Sequence, residues 1–132
     1  MSYADFIRQM VELNGRPSVY APGVKKAGYD KHHIRPIWMY PGKRHDPEGN
    51  SEANLVWLTR NQHVRAHILL ALETDAFNDW HSLAAIAGMY MVKPSVKAEA
   101  VAELRRRGFG ILSGKVQPMN RELDLSPLAS VR

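Results

Sequence analysis

Four of the chain's six histidines fall into two pairs, His32-His33 and His63-x3-His67, and imidazole both ligates metal ions and moves protons near neutral pH. An α-helix turns once in about 3.6 residues, so His63 and His67 stack on one helical face and present two imidazoles to a single ion. The adjacent pair behaves differently. If Tyr29 to Ile37 is extended, His32 and His33 point to opposite sides of the strand, and one can complete a metal site while the other works beside it. Three ligands with a fourth, uncommitted imidazole would make a hydrolytic site. The chain has no cysteine, so a thiolate zinc cluster and a disulfide scaffold are both excluded, and any ion must rest on histidine, carboxylate or carbonyl groups.

The elements that must position these residues follow from pattern. Tyr3, Phe6, Ile7, Met10 and Val11 have helical spacing, and that helix, Tyr3 to Leu13, should stop near Asn14-Gly15-Arg16-Pro17. Pro17 to Gly28, with its prolines and glycines, reads as a loop into the strand that carries His32. Tyr40 to Glu52 is rich in Pro, Gly and charge and should connect two short strands, the second being Asn54 to Leu58. Thr59 is placed to N-cap a helix from Arg60 to Leu72 that bears His63 and His67. Helical spacing returns over Asp75 to Tyr90, Lys93-Pro94 breaks it, and Val96 to Arg107 forms a further helix before Gly108. Leu112 to Arg132 has no clear period and is expected to be an irregular tail. The expected fold is α+β, one compact domain that is mostly helical outside a short two-stranded hairpin: residues 1–28 helix and loop, 29–72 core, 73–111 helical extension, 112–132 tail.

Three segments in this order carry a resemblance. Tyr29-Asp30-Lys31-His32-His33-Ile34-Arg35-Pro36, then Asn54-Leu55-Val56-Trp57-Leu58-Thr59, then His63-x3-His67 before Ile68-Leu69-Leu70-Ala71, resemble the HNH endonucleases, the ββα-metal nucleases. The likeness is greatest to the small phage-borne and mobile-element members, and the four-histidine pattern is shared with colicin-type nuclease domains. The core match covers roughly a third of the chain. The resemblance implies that His32, His63 and His67 hold one divalent metal ion and that His33 is the general base. It implies a supporting role for Asn54, which would hold the loop and orient His33. Three neutral imidazoles favour Zn²⁺, Mn²⁺, Ni²⁺ or cobalt over Mg²⁺, which prefers oxygen ligands. Many members carry Asp at the position of His32 and are described with magnesium, so Mg²⁺ stays among the candidates.

Composition agrees. The 132 residues suffice for one modest core, and the net charge of +5 with a pI near 9.7 favours a polyanionic partner. DNA is the expected partner. Arg35, Lys43, Arg44, Arg60 and Arg65 lie in or beside the motif, where the backbone of a bound duplex must pass if His33 is to reach a phosphate; such contacts position DNA without reading its sequence. Arg105, Arg106 and Arg107 can serve equally as phosphate contacts or as a solvated helix end that offsets the macrodipole. His45 and His81 fall outside the motif and are expected at the surface or in packing, and Trp38 and Trp57 in the core. No apolar run approaches the ~20 residues of a membrane span, and the N-terminus has neither a basic start nor an apolar signal core, so a cytoplasmic protein is expected.

The functional expectation is a metal-dependent endonuclease that nicks or cuts DNA, most naturally in homing by a phage or mobile element. A phage packaging or restriction nuclease would use the same chemistry. A non-cutting DNA-binding or virion-associated module that keeps the metal fold is the alternative of another class. A toxin nuclease would need an acidic immunity partner and ranks last among the readings. One such site cuts one strand at a time, so a double-strand break takes two molecules, as in a homodimer, or two successive events.

Overall fold

Ser2 opens the first helix, α1 (Tyr3–Asn14), by accepting the backbone N–H of Asp5 on its hydroxyl at 3.1 Å, as an N-cap should. Tyr3, Ile7, Met10 and Asn14 are its buried residues, spaced three or four apart on one face. Gly15 ends it in the left-handed region at φ +83°, where a side chain would be strained, and returns its N–H to the Val11 carbonyl. The computed structural model describes residues 1–89, 91–112 and 115–118.

Strand β1 (Asp30–His33) pairs antiparallel with β2 (Leu55–Leu58), in the register Asp30 to Leu58, Lys31 to Trp57, His32 to Val56 and His33 to Leu55. All four residues of β2 are buried, as expected of a strand covered on both sides. Asn14 explains part of the cover. Its amide group donates to the Trp57 carbonyl and to Gln62 Oε1, both at 2.8 Å, and Trp57 N donates back to the Gly15 carbonyl at 3.0 Å. The end of α1 is thereby fastened to β2 and to the start of the next helix.

That helix, α2 (Arg60–Thr74), begins with a reciprocal capping box. Gln62 N donates to Thr59 Oγ1 at 3.2 Å, while Gln62 Oε1 accepts from Thr59 N at 2.9 Å. The cap fixes where the helix starts, and so on which turns His63 and His67 fall. Between β1 and β2 the long connection is built from short 3-10 turns at Ile37–Met39, Lys43–His45 and Glu52–Asn54. Asp46 organises it: its carboxylate accepts from the backbone N–H groups of Gly42, Glu48 and Gly49 at 2.9–3.0 Å. At Gly49 an added Cβ would overlap the tip of the Ile37 side chain and press on the Tyr40 ring, so a larger residue there would make these side chains move.

The chain divides into two compact units, Met1–Ala66 and His67–Arg132, with the boundary inside the continuous α2. In the second unit α3 (Phe77–Ala87) and α4 (Pro94–Arg106) bury Trp80, Leu83, Ala84, Val96, Ala100 and Leu104, and Pro94 occupies the first turn of α4, where its missing N–H costs nothing. Two strands follow, β3 (Phe109–Leu112) and β4 (Lys115–Pro118), paired antiparallel. They correct the expected helical extension to residue 111 and irregular tail from Leu112. The sequence signal was poor because each strand has only four residues and β4 ends in proline. The rest of the expected tail, residues 119–132, lies outside the described residues. The fold is thus α+β and mostly helical, with a second two-stranded sheet beyond the single hairpin expected. No helix among the described residues is long and apolar enough to cross a membrane.

Candidate functional site

Side chains alternate along a strand, and in β1 this sorts four residues into two environments: Asp30 and His32 on one face, Lys31 and His33 on the other. On the first face the His32 ring meets the His63 ring edge-on, with centroids 5.0 Å apart and planes at 74°. His67 follows one turn further along α2. One ring nitrogen from each of His32, His63 and His67 lies within 4.8 Å of the other two, so this group can hold a metal ion. The fit is chemical as well as geometric, since two of the imidazoles already have outer hydrogen-bond partners of the kind that orient metal ligands.

Asp30 is one of these partners. Its Oδ2 accepts from His63 Nδ1 at 3.0 Å and from Arg60 Nε at 2.7 Å, and its Oδ1 accepts from Arg60 Nη2 at 3.2 Å. Burial pushes the Asp30 carboxyl up, but the hydrogen bonds from His63 and Arg60 outweigh it and hold the group well below the usual carboxylate range. Asp30 is therefore ionised and can only accept, which puts the His63 proton on Nδ1 and leaves Nε2 with its lone pair. The other partner is Tyr3, whose hydroxyl lies 2.8 Å from His32 Nε2 and 2.6 Å from the Ile34 carbonyl oxygen. His32 is 2% exposed.

On the opposite face the His33 ring stacks on Tyr20, with centroids 4.3 Å apart and planes at 23°. His33 Nε2 is 2.8 Å from Asn50 Oδ1. The amide orientation is fixed independently, because Asn50 Nδ2 donates to the Arg44 carbonyl at 2.9 Å. Oδ1 can only accept, so His33 carries its proton on Nε2 and keeps the Nδ1 lone pair. Burial pushes the His33 imidazole below its ordinary value; the bond with Asn50 opposes this and the neighbouring His63 adds to it. A neutral ring with a lone pair on Nδ1 is a proton acceptor held in one orientation.

Asn54 is buried. Its Oδ1 accepts from Arg35 N at 2.8 Å, and its Nδ2 donates to the carbonyls of Arg35 at 3.0 Å and Gly49 at 2.9 Å. It ties the residues after β1 to the end of the long connection. The His33 ring donates its hydrogen bond to Asn50 Oδ1. Of the basic residues singled out, Arg35, Lys43, Arg44 and Arg65 are exposed, Arg35 lying 4.9 Å from the Tyr40 ring centroid and Lys43 donating to the Trp38 carbonyl at 3.0 Å. Arg60 is committed to Asp30, and in the second unit Arg106 pairs with Glu103 at 2.8 Å and Arg107 with Asp75 at 2.7 Å, while Arg105 is exposed at the end of α4.

Comparison with known protein families, with curated proteins and with solved structures gives no match to this chain.

Four residues of the site had no role from sequence: Tyr3, Tyr20, Asp30 and Asn50. Only Asp30 carried a readable signal, since a period of two puts it on the His32 face. The contacts of Tyr3 and Asn50 span 29 and 17 residues, and no local pattern encodes them.

Proposed function

We propose that the protein is a metal-dependent endonuclease of the HNH type, a ββα-metal enzyme that hydrolyses DNA phosphodiester bonds, and that homing of a phage or mobile element is its biological use. The observation that carries the reading is the division of labour on β1. His32 joins the other two candidate ligands, and His33, one residue on and a neighbour of His63, has its Nδ1 lone pair kept available by Asn50. A purely structural metal site has no use for that second imidazole.

His32, His63 and His67 would hold the ion, and three neutral nitrogen donors favour Zn²⁺, Mn²⁺ or Ni²⁺ with Mg²⁺ as a weaker candidate. When bound, the ion supplies Lewis-acid stabilisation of the charge that grows on the phosphate and on the departing oxygen. His33 Nδ1 takes a proton from the attacking water while Asn50 keeps the ring from turning. The water oxygen bonds to phosphorus and the P–O3′ bond breaks; the departing O3′ takes a proton from solvent water, leaving a 3′ hydroxyl on one fragment and a 5′ phosphate on the other. Asp30 keeps His63 in the Nδ1–H tautomer, so that it would bind the ion through Nε2. Arg35, Lys43, Arg44 and Arg65 are exposed and would contact the DNA backbone, which makes binding weaken steeply as salt rises. The test is conversion of supercoiled plasmid by metal-stripped protein with Mg²⁺, Mn²⁺ or Zn²⁺ restored one at a time. Open-circle or linear product that requires metal supports the reading, and intact plasmid with every ion opposes it.

A further inference from the structure

We infer that Tyr3, on the N-terminal helix, is a positioning residue for the metal site: it keeps the His32 proton on Nε2, so that His32 binds the ion through Nδ1 while His63 binds through Nε2. The inference rests on reading His32, His63 and His67 as the metal ligands.

The number of protons available decides which group donates. The Tyr3 hydroxyl has one, and it lies 2.6 Å from the Ile34 carbonyl oxygen, which can only accept. With that proton directed to Ile34, the contact of 2.8 Å between the phenolic oxygen and His32 Nε2 has to be donated by the imidazole. A metal ligand is the neutral ring, which carries a single N–H, so the lone pair left for an ion is on Nδ1. The same count at His63 gives the reverse, because its Nδ1 faces the ionised Asp30 carboxylate at 3.0 Å. Two neighbouring ligands would thus bind through different ring nitrogens, each fixed from behind by a different element: the first turn of α1 and the start of β1. The consequence for α1 is a share in metal binding through Tyr3, which is 8% exposed and sits directly after the cap residue Ser2.

The test is long-range ¹H–¹⁵N spectroscopy of the histidine rings, before and after Zn²⁺, combined with Zn²⁺ titration of the intact protein and of Tyr3→Phe. In the metal-free protein His32 is expected as the Nε2–H tautomer. On loading, metallation should fall on His32 Nδ1 and His63 Nε2. Tyr3→Phe, with an unchanged circular dichroism spectrum, should bind Zn²⁺ at least about tenfold more weakly, the usual effect of losing an outer partner of a ligand. Metallation of His32 at Nε2, an Nδ1–H tautomer in the metal-free protein, or a Tyr3→Phe affinity equal to the parent overturns the inference while leaving the metal site standing. Failure of the parent protein to bind Zn²⁺ at all overturns the metal reading and the inference with it. Should Tyr3→Phe not fold, the spectra of the parent decide alone.

Discussion

His33 and Asn50 meet through one hydrogen bond, Nε2 to Oδ1 at 2.8 Å, and Asn50 is itself turned by the Arg44 carbonyl 2.9 Å from its Nδ2. The pair holds a ring that could rotate in one orientation, with the lone pair fixed on Nδ1. Asn50→Ala should therefore lower kcat by up to about tenfold, the worth of one neutral hydrogen bond of roughly 0.5–1.5 kcal/mol, with Zn²⁺ affinity unchanged. Single-turnover cleavage alongside metal titration checks it; an unaltered kcat would show that Asn50 does not orient the base.

Asp30 links Arg60 to His63, and its charge is what fixes the His63 tautomer. Asp30→Asn keeps the shape but can present its NH₂ to the ring. Zn²⁺ affinity should drop roughly 10–100-fold by calorimetry, as for other carboxylates behind metal-bound histidines. An equal affinity would mean that the carboxylate serves Arg60 alone.

Much of this was legible in the sequence, for local reasons. The helical spacing of Tyr3, Ile7 and Met10 and the Asn14-Gly15 stop gave α1, and Thr59 before the histidine-bearing run gave the start of α2. The separation of His32 from His33 followed from the period of a strand. What could not be read depends on tertiary neighbours: Tyr20 reaches His33 because Tyr20 N donates to the Asn50 carbonyl at 3.0 Å, a bond across a long loop. The same holds for the pairing of Arg60 with Asp30, thirty residues earlier in the chain.

The connection between β1 and β2 should be acid-sensitive at Asp46. The backbone N–H groups of Gly49 and Gly42 hold its carboxyl below the usual range, against a smaller opposing effect of burial. A depressed carboxylate contributes stability that is fully present above its unfolded value of about 3.9 and is lost as pH falls through the lower folded value. The Tm of Asp46→Asn should thus lie below that of the parent at pH 7, and the gap should close as pH falls below about 4. A gap that widens in acid would contradict the assignment.

The capping box at α2 supports the helix that presents His63 and His67. Thr59→Ala should cost about 0.5–2 kcal/mol in denaturant unfolding, and Gln62→Ala should be less than additive with it because the two bonds form one reciprocal unit. Full additivity would mean that they act separately.

In the proposed reaction one histidine of β1 serves the metal and its neighbour serves the water. The most direct measurement is cleavage of supercoiled plasmid by His33→Ala beside the parent protein, with Zn²⁺ and DNA binding measured on both. The cleavage rate should fall by roughly 10²–10⁴-fold with both affinities retained. Cleavage at the parental rate by His33→Ala, or loss of Zn²⁺ binding in that variant, would contradict it.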